Sequence, residues 1–358
     1  MTLKIADRLK RLRQRIAEKE LDAILVSQPE NRYYLSGFDG SDGYLLITPR
    51  DTILATDFRY VEQVKIQAPE YRLFQITGNM ADWLPRLLDG LNLRRLGFEA
   101  GYLTFAWYQQ VSDILPKDAS GLQLVPVDGL VESIRAIKEP AEIELLSQAI
   151  AITDRAVEYI ESIVHAGMTE KELAWEIEKF QRENGSQSMP FDIIVASGPN
   201  AALPHAKPSP RPIGAGEPVV IDMGARVGGY SSDLSRTICL GTPDDTFTRI
   251  YNIVLEAQAA AIAGIKEGMS GAEADNIARA VIIRSGHGDA FGHSLGHGIG
   301  LATHELPRVG PGSTEQLTAG MVFSIEPGIY LADWGGVRIE DLAVIENNKI
   351  RVLSKARK

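Results

Sequence analysis

Two pairs of acidic residues in the second half of the sequence have the types and spacing that metal chemistry requires. Asp222 and Glu326 each end an apolar run, and each is followed by a second acid, Asp233 and Glu340 respectively. Carboxylates are unfavourable in strands and costly to bury unless they are neutralised, paired or bound to a metal. One such acid alone would indicate a strand end that faces solvent. Two acids in matching positions, each with a second acid downstream, favour a shared metal site.

A glycine-rich segment, 291–304, supplies imidazoles that could complete this site. It contains three of the six histidines, His293, His297 and His304, among four glycines, which let backbone and ions approach closely. His293 and His297 are four residues apart and could share one face of a helix, although the glycines disfavour a helix there. One imidazole among four carboxylates is an oxygen-rich ligand set that favours Mn²⁺, with Co²⁺ or Zn²⁺ as alternatives.

Four carboxylates could hold more than one ion. Two bridging carboxylates would keep two divalent ions about 3.5–4 Å apart with a hydroxide between them. Such a centre polarises a carbonyl group and supplies a nucleophile near neutral pH. Hydrolysis of an amide is therefore the reaction that this set of residues favours.

The elements that must position these residues form an internal repeat. Thr169 and Glu172 are spaced as a helix capping box, and Ser270 and Glu273 repeat that spacing about one hundred residues later. Each helix start precedes a strand that ends in one of the acids, and a histidine recurs in each half. The repeat predicts a pseudo-symmetric domain of two α+β halves, with the acids converging between them.

Residues 1–130 are predicted to form a separate small α/β domain, because short apolar runs alternate there with helical patterns. Strands are predicted at 23–27, 44–48, 52–56, 71–76 and 122–127, with helices near 81–90 and 103–114. A linker is predicted at 131–140 and the second domain at 141–358. Pro140 suits the first turn of a helix that continues to about residue 165.

The composition favours a globular protein of the cytoplasm. The net charge is −10 and no basic stripe follows the first helix, which argues against nucleic acid as a partner. No run approaches the roughly 18 apolar residues of a membrane span, and residues 1–15 have an amphipathic pattern rather than the apolar region of a secretory signal. The single cysteine, Cys239, permits no intramolecular disulfide and fits a reducing compartment.

Two other catalytic motifs are excluded by their surroundings. Gly-His-Ser294-Leu-Gly matches the nucleophile elbow of serine hydrolases, but the preceding segment is too polar for the buried strand that the elbow needs. No Asp lies between Ser294 and the last histidine, His304, so the catalytic order cannot be completed. His304-Glu305 does not begin a zincin motif, because Arg308 stands where the second histidine would be.

The order Asp222, Asp233, His297, Glu326 and Glu340 resembles that of the pita-bread metallopeptidases, which include methionine aminopeptidase, aminopeptidase P and prolidase. An N-terminal α/β domain before the metal domain is a feature of aminopeptidase P and prolidase, and simple methionine aminopeptidases lack it. Four segments resemble this proline-specific branch: His297-Gly-Ile-Gly, His304-Glu, Ile325-Glu-Pro-Gly-Ile-Tyr330 and Val337-Arg-Ile-Glu-Asp341. The resemblance covers nearly the whole chain and implies a pita-bread (creatinase/aminopeptidase) fold for its C-terminal domain.

The resemblance also implies a role for each acid in the binding of two metal ions. Asp222 would chelate one ion and His297 the other, while Asp233 and Glu340 would bridge the two. Glu326 would bind the second ion and act as the general base on the bridging water. No ligand of this set is missing from the sequence.

Further residues would contact the substrate, again by resemblance. His205 and His304 would contact the scissile peptide and stabilise the tetrahedral intermediate, with His293 as a supporting polar group. Arg338 would either order the metal ligands or bind a substrate carboxylate. Arg308 is a further candidate for holding a carboxylate in a bidentate manner, and a surface ion pair is the alternative.

The implied activity is that of a dinuclear-metal exopeptidase that hydrolyses the N-terminal Xaa-Pro bond of dipeptides or longer peptides. The implied assembly is a homodimer. Two alternatives stay open: a non-enzymatic binding module with the same fold, and a metal aminopeptidase without proline specificity.

Overall fold

The computed structural model describes residues 4–115 and 121–358 of the chain. The chain divides into two compact units, Thr2–Arg135 and Ala136–Lys358. The division falls inside 131–140, the segment predicted as a linker. Among the helices of the described residues, none combines the length and the apolar character that a membrane span requires.

The N-terminal unit contains a mixed sheet with helices packed on it. Its helices are α1 (Ile5–Glu18), α2 (Pro29–Ser36), α3 (Val61–Gln67), α4 (Met80–Leu88), α5 (Phe105–Ile114) and α6 (Glu132–Arg135). Its strands are β1 (Ala23–Val26), β2 (Tyr44–Ile47), β3 (Thr52–Thr56), β4 (Arg72–Gln75), β5 (Arg95–Glu99) and β6 (Gln123–Val127). The sheet order is β4-β3-β2-β1-β5-β6, in which β2 is antiparallel to β1 and β3, and the other pairs are parallel.

Hydrophobic patterning accounts for most of this unit. The apolar residues of β1 are all buried, and α1 buries Leu9, Leu12 and Ile16 against the unit. The predicted strands are confirmed to within one residue at each end, and the helices predicted near 81–90 and 103–114 are α4 and α5. β5 and α2 escape prediction because β5 begins and ends with charged residues and α2 is largely polar.

The C-terminal unit is built from helix pairs and small sheets. Its helices are α7 (Pro140–Ile163), α8 (Glu170–Glu183), α9 (Asp245–Gly264) and α10 (Gly271–Arg284). Its strands are β7 (Ile194–Ser197), β8 (Pro218–Met223), β9 (Arg226–Val227), β10 (Tyr230–Ser231), β11 (Leu234–Cys239), β12 (Gly296–Gly298), β13 (Glu305–Val309), β14 (Val322–Ile325), β15 (Gly328–Leu331), β16 (Gly335–Arg338), β17 (Asp341–Glu346) and β18 (Lys349–Val352). The main sheets have the orders β11-β8-β7 and β13-β12-β14-β17-β18, with the hairpins β9-β10 and β15-β16 beside them.

The predicted internal repeat is confirmed in detail. Both capping boxes form, with Thr169 Oγ1 and Ser270 Oγ each accepting a hydrogen bond from the backbone of the glutamate three residues later. The two helix starts also dock in the same way, because Thr169 forms an isolated bridge with Pro212 and Ser270 forms one with Gln316. The predicted pairing of an α/β unit with a pseudo-symmetric α+β unit therefore describes this fold.

Each half of the C-terminal unit has its own apolar core. The first core includes Val219, Ile221 and Met223 of β8, and the second includes Ile325 and Ile339. The halves meet where the backbone of Glu340 donates to Ser235 of β11, at 3.1 Å. The acidic residues next to these core positions therefore lie where the two halves join.

Candidate metal centre

Strand periodicity brings the acids of the first half to the junction. In β8, Ile221 and Met223 are buried in the first core, so the alternation of side chains turns Asp222 to the opposite face. Asp222 pairs in register with Ser235 of β11, and Asp233 lies in the connection that leads into β11. Asp233 is buried and Asp222 is half-buried.

The second half contributes two acids and an imidazole in the same manner. Glu326 directly follows the core residue Ile325, and Glu340 directly follows Ile339. His297 is the middle residue of β12, which lies between β13 and β14. The glycine before it is required, because a Cβ at position 296 would overlap the carbonyl oxygen of Ser324. The sequence interpretation of this segment as non-helical is confirmed.

These side chains converge on one point. Single ligand atoms of Asp233, His297 and Glu340 all lie within 4.8 Å of one another. His297 Nε2 is 3.3 Å from Glu326 Oε1 and 3.7 Å from Asp233 Oδ2. Asp222 is close enough for its charge to raise the pKa of both Asp233 and Glu340. The structure thus brings together all five residues that the sequence analysis proposes as ligands.

The pKa values report strong crowding of negative charge. Burial raises the pKa of Asp233 well above its usual range, and the charges of Glu340 and Asp222 raise it further. Burial also raises the pKa of Glu340 strongly, with added contributions from Glu326 and Asp222. For Glu326, burial again raises the pKa, and the neighbouring His293 opposes it. Burial and mutual repulsion thus disfavour the simultaneous ionisation of these carboxyls, and a bound cation would offset both effects.

The surroundings of the histidines near the acids favour the neutral imidazole. Loss of contact with water lowers the pKa of His293, of His297 and of the partly exposed His304, and for His304 the nearby His297 lowers it further. Neutral imidazole is the form that binds metal ions and accepts protons. His297 Nδ1 lies 3.1 Å from the carbonyl oxygen of Gly298, a contact that leaves Nε2 directed at the acids.

A buried arginine organises the rim of the acid cluster. Arg338 donates to Asp222 Oδ2 at 2.7 Å, to the Tyr330 hydroxyl at 2.8 Å and to Ser235 Oγ at 2.8 Å. Ser235 in turn donates to Glu340 Oε2 at 2.8 Å. Arg338 is 3 % exposed. These N–H groups point at protein atoms. Arg338 is therefore better suited to hold the acids in position than to bind a substrate carboxylate.

Tyr330, Ser235 and Ser324 are polar members of this network that the sequence analysis did not identify. The Tyr330 hydroxyl is 3.1 Å from His293 Nε2, and Ser324 Oγ donates to Glu326 Oε1 at 2.9 Å. Tyr330 stands in an apolar strand, where a tyrosine usually indicates packing. Neither serine has a distinguishing signal in the sequence. The partners of Ser235 lie more than 100 positions away in the chain. Ser324 binds Glu326, only two residues later, and a serine so close to an acid is not unusual.

The remaining predicted residues lie at differing distances from the acids. The His304 ring centroid is 4.2 Å from that of His297, and the charge of His205 contributes to the pKa of His304. Both His205 and His304 are exposed. Arg308 pairs in backbone register with His297, but its side chain is exposed, and within the described residues no contact joins its guanidinium to the acid cluster.

Comparison with known proteins gives this geometry a family. Residues 8–137 match the creatinase/prolidase N-terminal domain, and residues 144–347 match metallopeptidase family M24. The chain belongs to metallopeptidase family M24. It is 37 % identical to the Xaa-Pro dipeptidase of Pyrococcus furiosus over 98 % of both chains. The pita-bread resemblance inferred from the ligand order is therefore confirmed.

Solved structures of similar proteins superpose on nearly the whole chain. The Xaa-Pro dipeptidase from Bacillus anthracis is 41 % identical, with a TM-score of 0.95 and coverage of 99 % of each chain. The X-Pro aminopeptidase from Thermotoga maritima is 35 % identical, with a TM-score of 0.88 and coverage of 98 % of each chain. A dipeptidase and an aminopeptidase thus share this fold.

The residues of this family M24 site fit divalent metal ions. Asp222 Oδ1 and Glu340 Oε1 are buried atoms without a hydrogen-bond partner among the described residues. A buried carboxylate oxygen without a partner is strongly disfavoured, whereas oxygen ligands with one imidazole suit Mn²⁺ and similar ions. A bound cation would provide a partner for these oxygens and would also offset the negative charge that raises the pKa values.

Proposed function

We propose that this metallopeptidase is a dinuclear exopeptidase that cleaves the N-terminal Xaa-Pro bond of dipeptides or short peptides. The observation that carries the proposal is the cluster of Asp222, Asp233, His297, Glu326 and Glu340, in which two buried carboxylate oxygens have no hydrogen-bond partner within the described part of the chain. Two divalent ions would be held by these five residues, with Mn²⁺ favoured over Co²⁺ or Zn²⁺ because oxygen ligands predominate. When bound, the ions supply Lewis acidity and an ionised water at neutral pH.

We infer that Glu326 moves the proton of the attacking water. Its Oε1 accepts from Ser324 Oγ at 2.9 Å and faces His297 Nε2 at 3.3 Å, which leaves Oε2 to accept the proton. On this geometry we assign Glu326 the role of general base.

Two exposed histidines suit the substrate side of the cluster. His304 lies against His297, and the residue before His205 is fixed because the Pro204 carbonyl accepts from Arg338 at 3.3 Å. Both imidazoles could donate to the carbonyl oxygen of the scissile bond as negative charge develops on it. His293 would support this arrangement through its contact with Tyr330. Arg308 is kept as a candidate contact for a substrate carboxylate.

The length of the substrate separates two versions of the proposal. The relatives include an Xaa-Pro dipeptidase and an X-Pro aminopeptidase, which are named for dipeptide and longer substrates respectively. A dipeptidase must hold or block the carboxylate that follows the proline, whereas an aminopeptidase must leave that position open. We place the dipeptidase first, because the dipeptidase from Bacillus anthracis shares the higher identity and TM-score.

Two further properties belong to the proposal. We infer a homodimer from the family resemblance, which size-exclusion chromatography with light scattering would test. We infer a cytoplasmic location from the single cysteine of the sequence. Fractionation of the source cells would test the location.

The deciding experiment compares Xaa-Pro with Xaa-Pro-Yaa peptides, in the presence of Mn²⁺ and after chelation. An Xaa-Ala peptide controls for proline specificity, and an N-acetylated Xaa-Pro peptide controls for the free amine. We expect chelator-sensitive cleavage of Xaa-Pro and little cleavage of either control. Cleavage of tripeptides would favour the aminopeptidase version, and equal cleavage of Xaa-Ala would contradict proline specificity. Failure to cleave any of these peptides would contradict the proposed function.

A further inference from the structure

His304 lies at the end of a loop, 299–304, that joins β12 to β13, and its side chain is exposed. The first part of the loop is anchored, because the side chains of Ile299 and Leu301 are buried and the backbone of Ser231 donates to the Gly300 carbonyl at 2.8 Å. Near the end of the loop, Thr303 Oγ1 reaches the Pro190 carbonyl at 3.4 Å. The position of His304 therefore also depends on an anchor at the C-terminal end of the loop.

Glu305, the residue directly after His304, provides such an anchor by pairing with Lys138. Lys138 Nζ lies 2.6 Å from Glu305 Oε1, and the two side chains are 1 % and 5 % exposed. Glu305 Oε2 also receives the backbone N–H of Ala302 at 3.4 Å, which joins the loop to the same carboxylate. A Cβ at position 300 would crowd Glu305 Oε1, so the carboxylate in this position requires the space that Gly300 leaves. The loop is thus folded around this carboxylate.

Lys138 is itself fixed by the backbone. Its N–H donates to the Gly320 carbonyl at 2.9 Å, and the Gly320 N–H donates to Ile345 of β17 at 3.0 Å. The preceding residue, Ile137, bridges Met321. The backbone that carries the ammonium group is therefore bonded to the sheet that contains His297. Through the ion pair, this sheet fixes the position of the residue next to His304.

A fully buried ion pair is not explained by stability alone. The cost of removing two charges from water is large, and replacing a buried pair by apolar residues of similar size is often neutral or stabilising. We propose that Lys138 and Glu305 are positioning residues, which hold the 299–304 loop so that His304 faces the substrate beside His297. The inference rests on the proposed function, because it assigns His304 to the substrate side of that site.

The test separates positioning from stability with two variants. K138M removes the ammonium group that pairs with the buried Glu305 carboxylate and should lower both the melting temperature and kcat. K138M/E305L removes both charges and should regain the melting temperature and the metal content of the wild-type protein. Its kcat on Xaa-Pro should stay about 10²-fold low with little change in KM, since a small misplacement can have that effect. I160A, which perturbs the core of the first half, controls for destabilisation.

A double-mutant cycle with His304 tests whether the pair acts through that residue. H304A should lower kcat by itself, and adding K138M/E305L to H304A should lower it no further. Additive losses would contradict positioning through His304. A K138M/E305L variant with wild-type kcat would overturn the inference and leave the pair with a structural role only.

A spectroscopic readout keeps this inference separate from the proposed function. In metal-free protein with ¹⁵N-labelled histidine, the His304 ring signals, assigned with H304A, should shift or broaden in K138M/E305L. The His165 signals should stay unchanged. Unchanged His304 signals would overturn the inference even if the wild-type protein cleaves Xaa-Pro peptides. Conversely, a wild-type protein that cleaves none of the test peptides contradicts the proposed function, while shifted His304 signals would still support the role of the pair.

Discussion

Glu99 in the N-terminal unit and Glu340 in the C-terminal unit are both buried carboxylates, but their surroundings differ. Glu99 accepts hydrogen bonds from the Ser27 backbone and hydroxyl, from the Gln28 backbone and from the Asn31 amide, at 2.6–2.8 Å. Glu340 accepts one from Ser235 Oγ, and its Oε1 has no partner among the described residues. Burial raises the pKa of both residues.

The causes of each pKa shift other than burial distinguish a structural carboxylate from one that belongs to a functional site. For Glu99 the hydrogen bonds from its donors oppose the effect of burial, whereas for Glu340 the charges of Glu326 and Asp222 add to it. The hydrogen-bond donors of Glu99 belong to the folded chain itself, so this carboxylate at the end of β5 needs no ligand. Glu340 Oε1 lacks such a partner among the described residues, which fits the proposed metal centre. Burial of an acid is therefore a weak sign of function, and a buried acid that faces other acids is a strong one.

The largest expected effect is that of E340Q. The change removes a proposed bridging ligand, so kcat on Xaa-Pro should fall by more than the roughly 10²–10⁴-fold expected for loss of a general base. The metal-free variant should be at least as stable as the metal-free wild-type protein, because one source of charge repulsion is gone. Peptide assays, metal analysis and calorimetry after chelation measure these results. A metal-free E340Q protein that is markedly less stable would place Glu340 with Glu99 as a structural acid.

E326Q should have the next largest effect. The amide cannot accept the proton of the attacking water, and kcat should fall by about 10²–10⁴-fold while the fold is retained. Steady-state kinetics with saturating Mn²⁺ and circular dichroism measure these outcomes. Activity close to that of the wild-type protein would contradict the role assigned to Glu326.

E99Q should affect stability rather than chemistry. The amide nitrogen of the variant would face N–H and O–H groups that now donate hydrogen bonds to the carboxylate, and those bonds would be lost. The free energy of unfolding of the N-terminal unit should therefore fall by about 1–3 kcal/mol or more. Hydrolysis per folded molecule should change little under stabilising conditions. Denaturant titration and peptide assays at low temperature measure the two quantities. A large loss of kcat without loss of stability would break the distinction between the two acids.

The smallest effect concerns the pH dependence of stability without metal. The folded-state pKa of Glu340 lies well above the ordinary glutamate value of 4.5, so the contribution of its protonated form to stability is fully present below pH 4.5. This contribution is lost as pH rises through the folded-state pKa. The difference in unfolding free energy between metal-free E340Q and metal-free wild-type protein should therefore grow with rising pH. Saturating Mn²⁺ should reverse the wild-type trend, since the ion binds the ionised carboxylates.

Local patterns in the sequence predict much of the fold. Pro140 begins α7 as expected, with Glu139 and Glu142 forming a capping box, and the repeated capping boxes locate α8 and α10. Strands that alternate or end in an acid are also recognised, because burial of one face has a period of two residues. Local patterns do not predict β5, because both ends of this strand are charged. Its central residue, Gly97, lies against β1 in the sheet.

The candidate site is predicted in its residues but not in its supporting contacts. The acids at the strand ends carry their own signal, because an acid is unfavourable at the end of an apolar run. The sequence also offers Arg338 as a candidate, through the family resemblance, but its hydrogen bond to Ser235 joins residues 103 positions apart and has no local signal. The Lys138–Glu305 pair spans 167 positions and depends equally on the tertiary fold. Such long-range partners are set by how the two halves pack, which local sequence does not encode.

The five clustered residues are proposed to bind two divalent ions. Calorimetric titration of the metal-free protein with Mn²⁺, together with elemental analysis, tests this proposal most directly. We expect two ions per chain for the wild-type protein and fewer for D233N and E340Q, with E99Q unchanged. Binding of no ions by the wild-type protein, or the same stoichiometry in D233N and E340Q as in the wild-type protein, would contradict it.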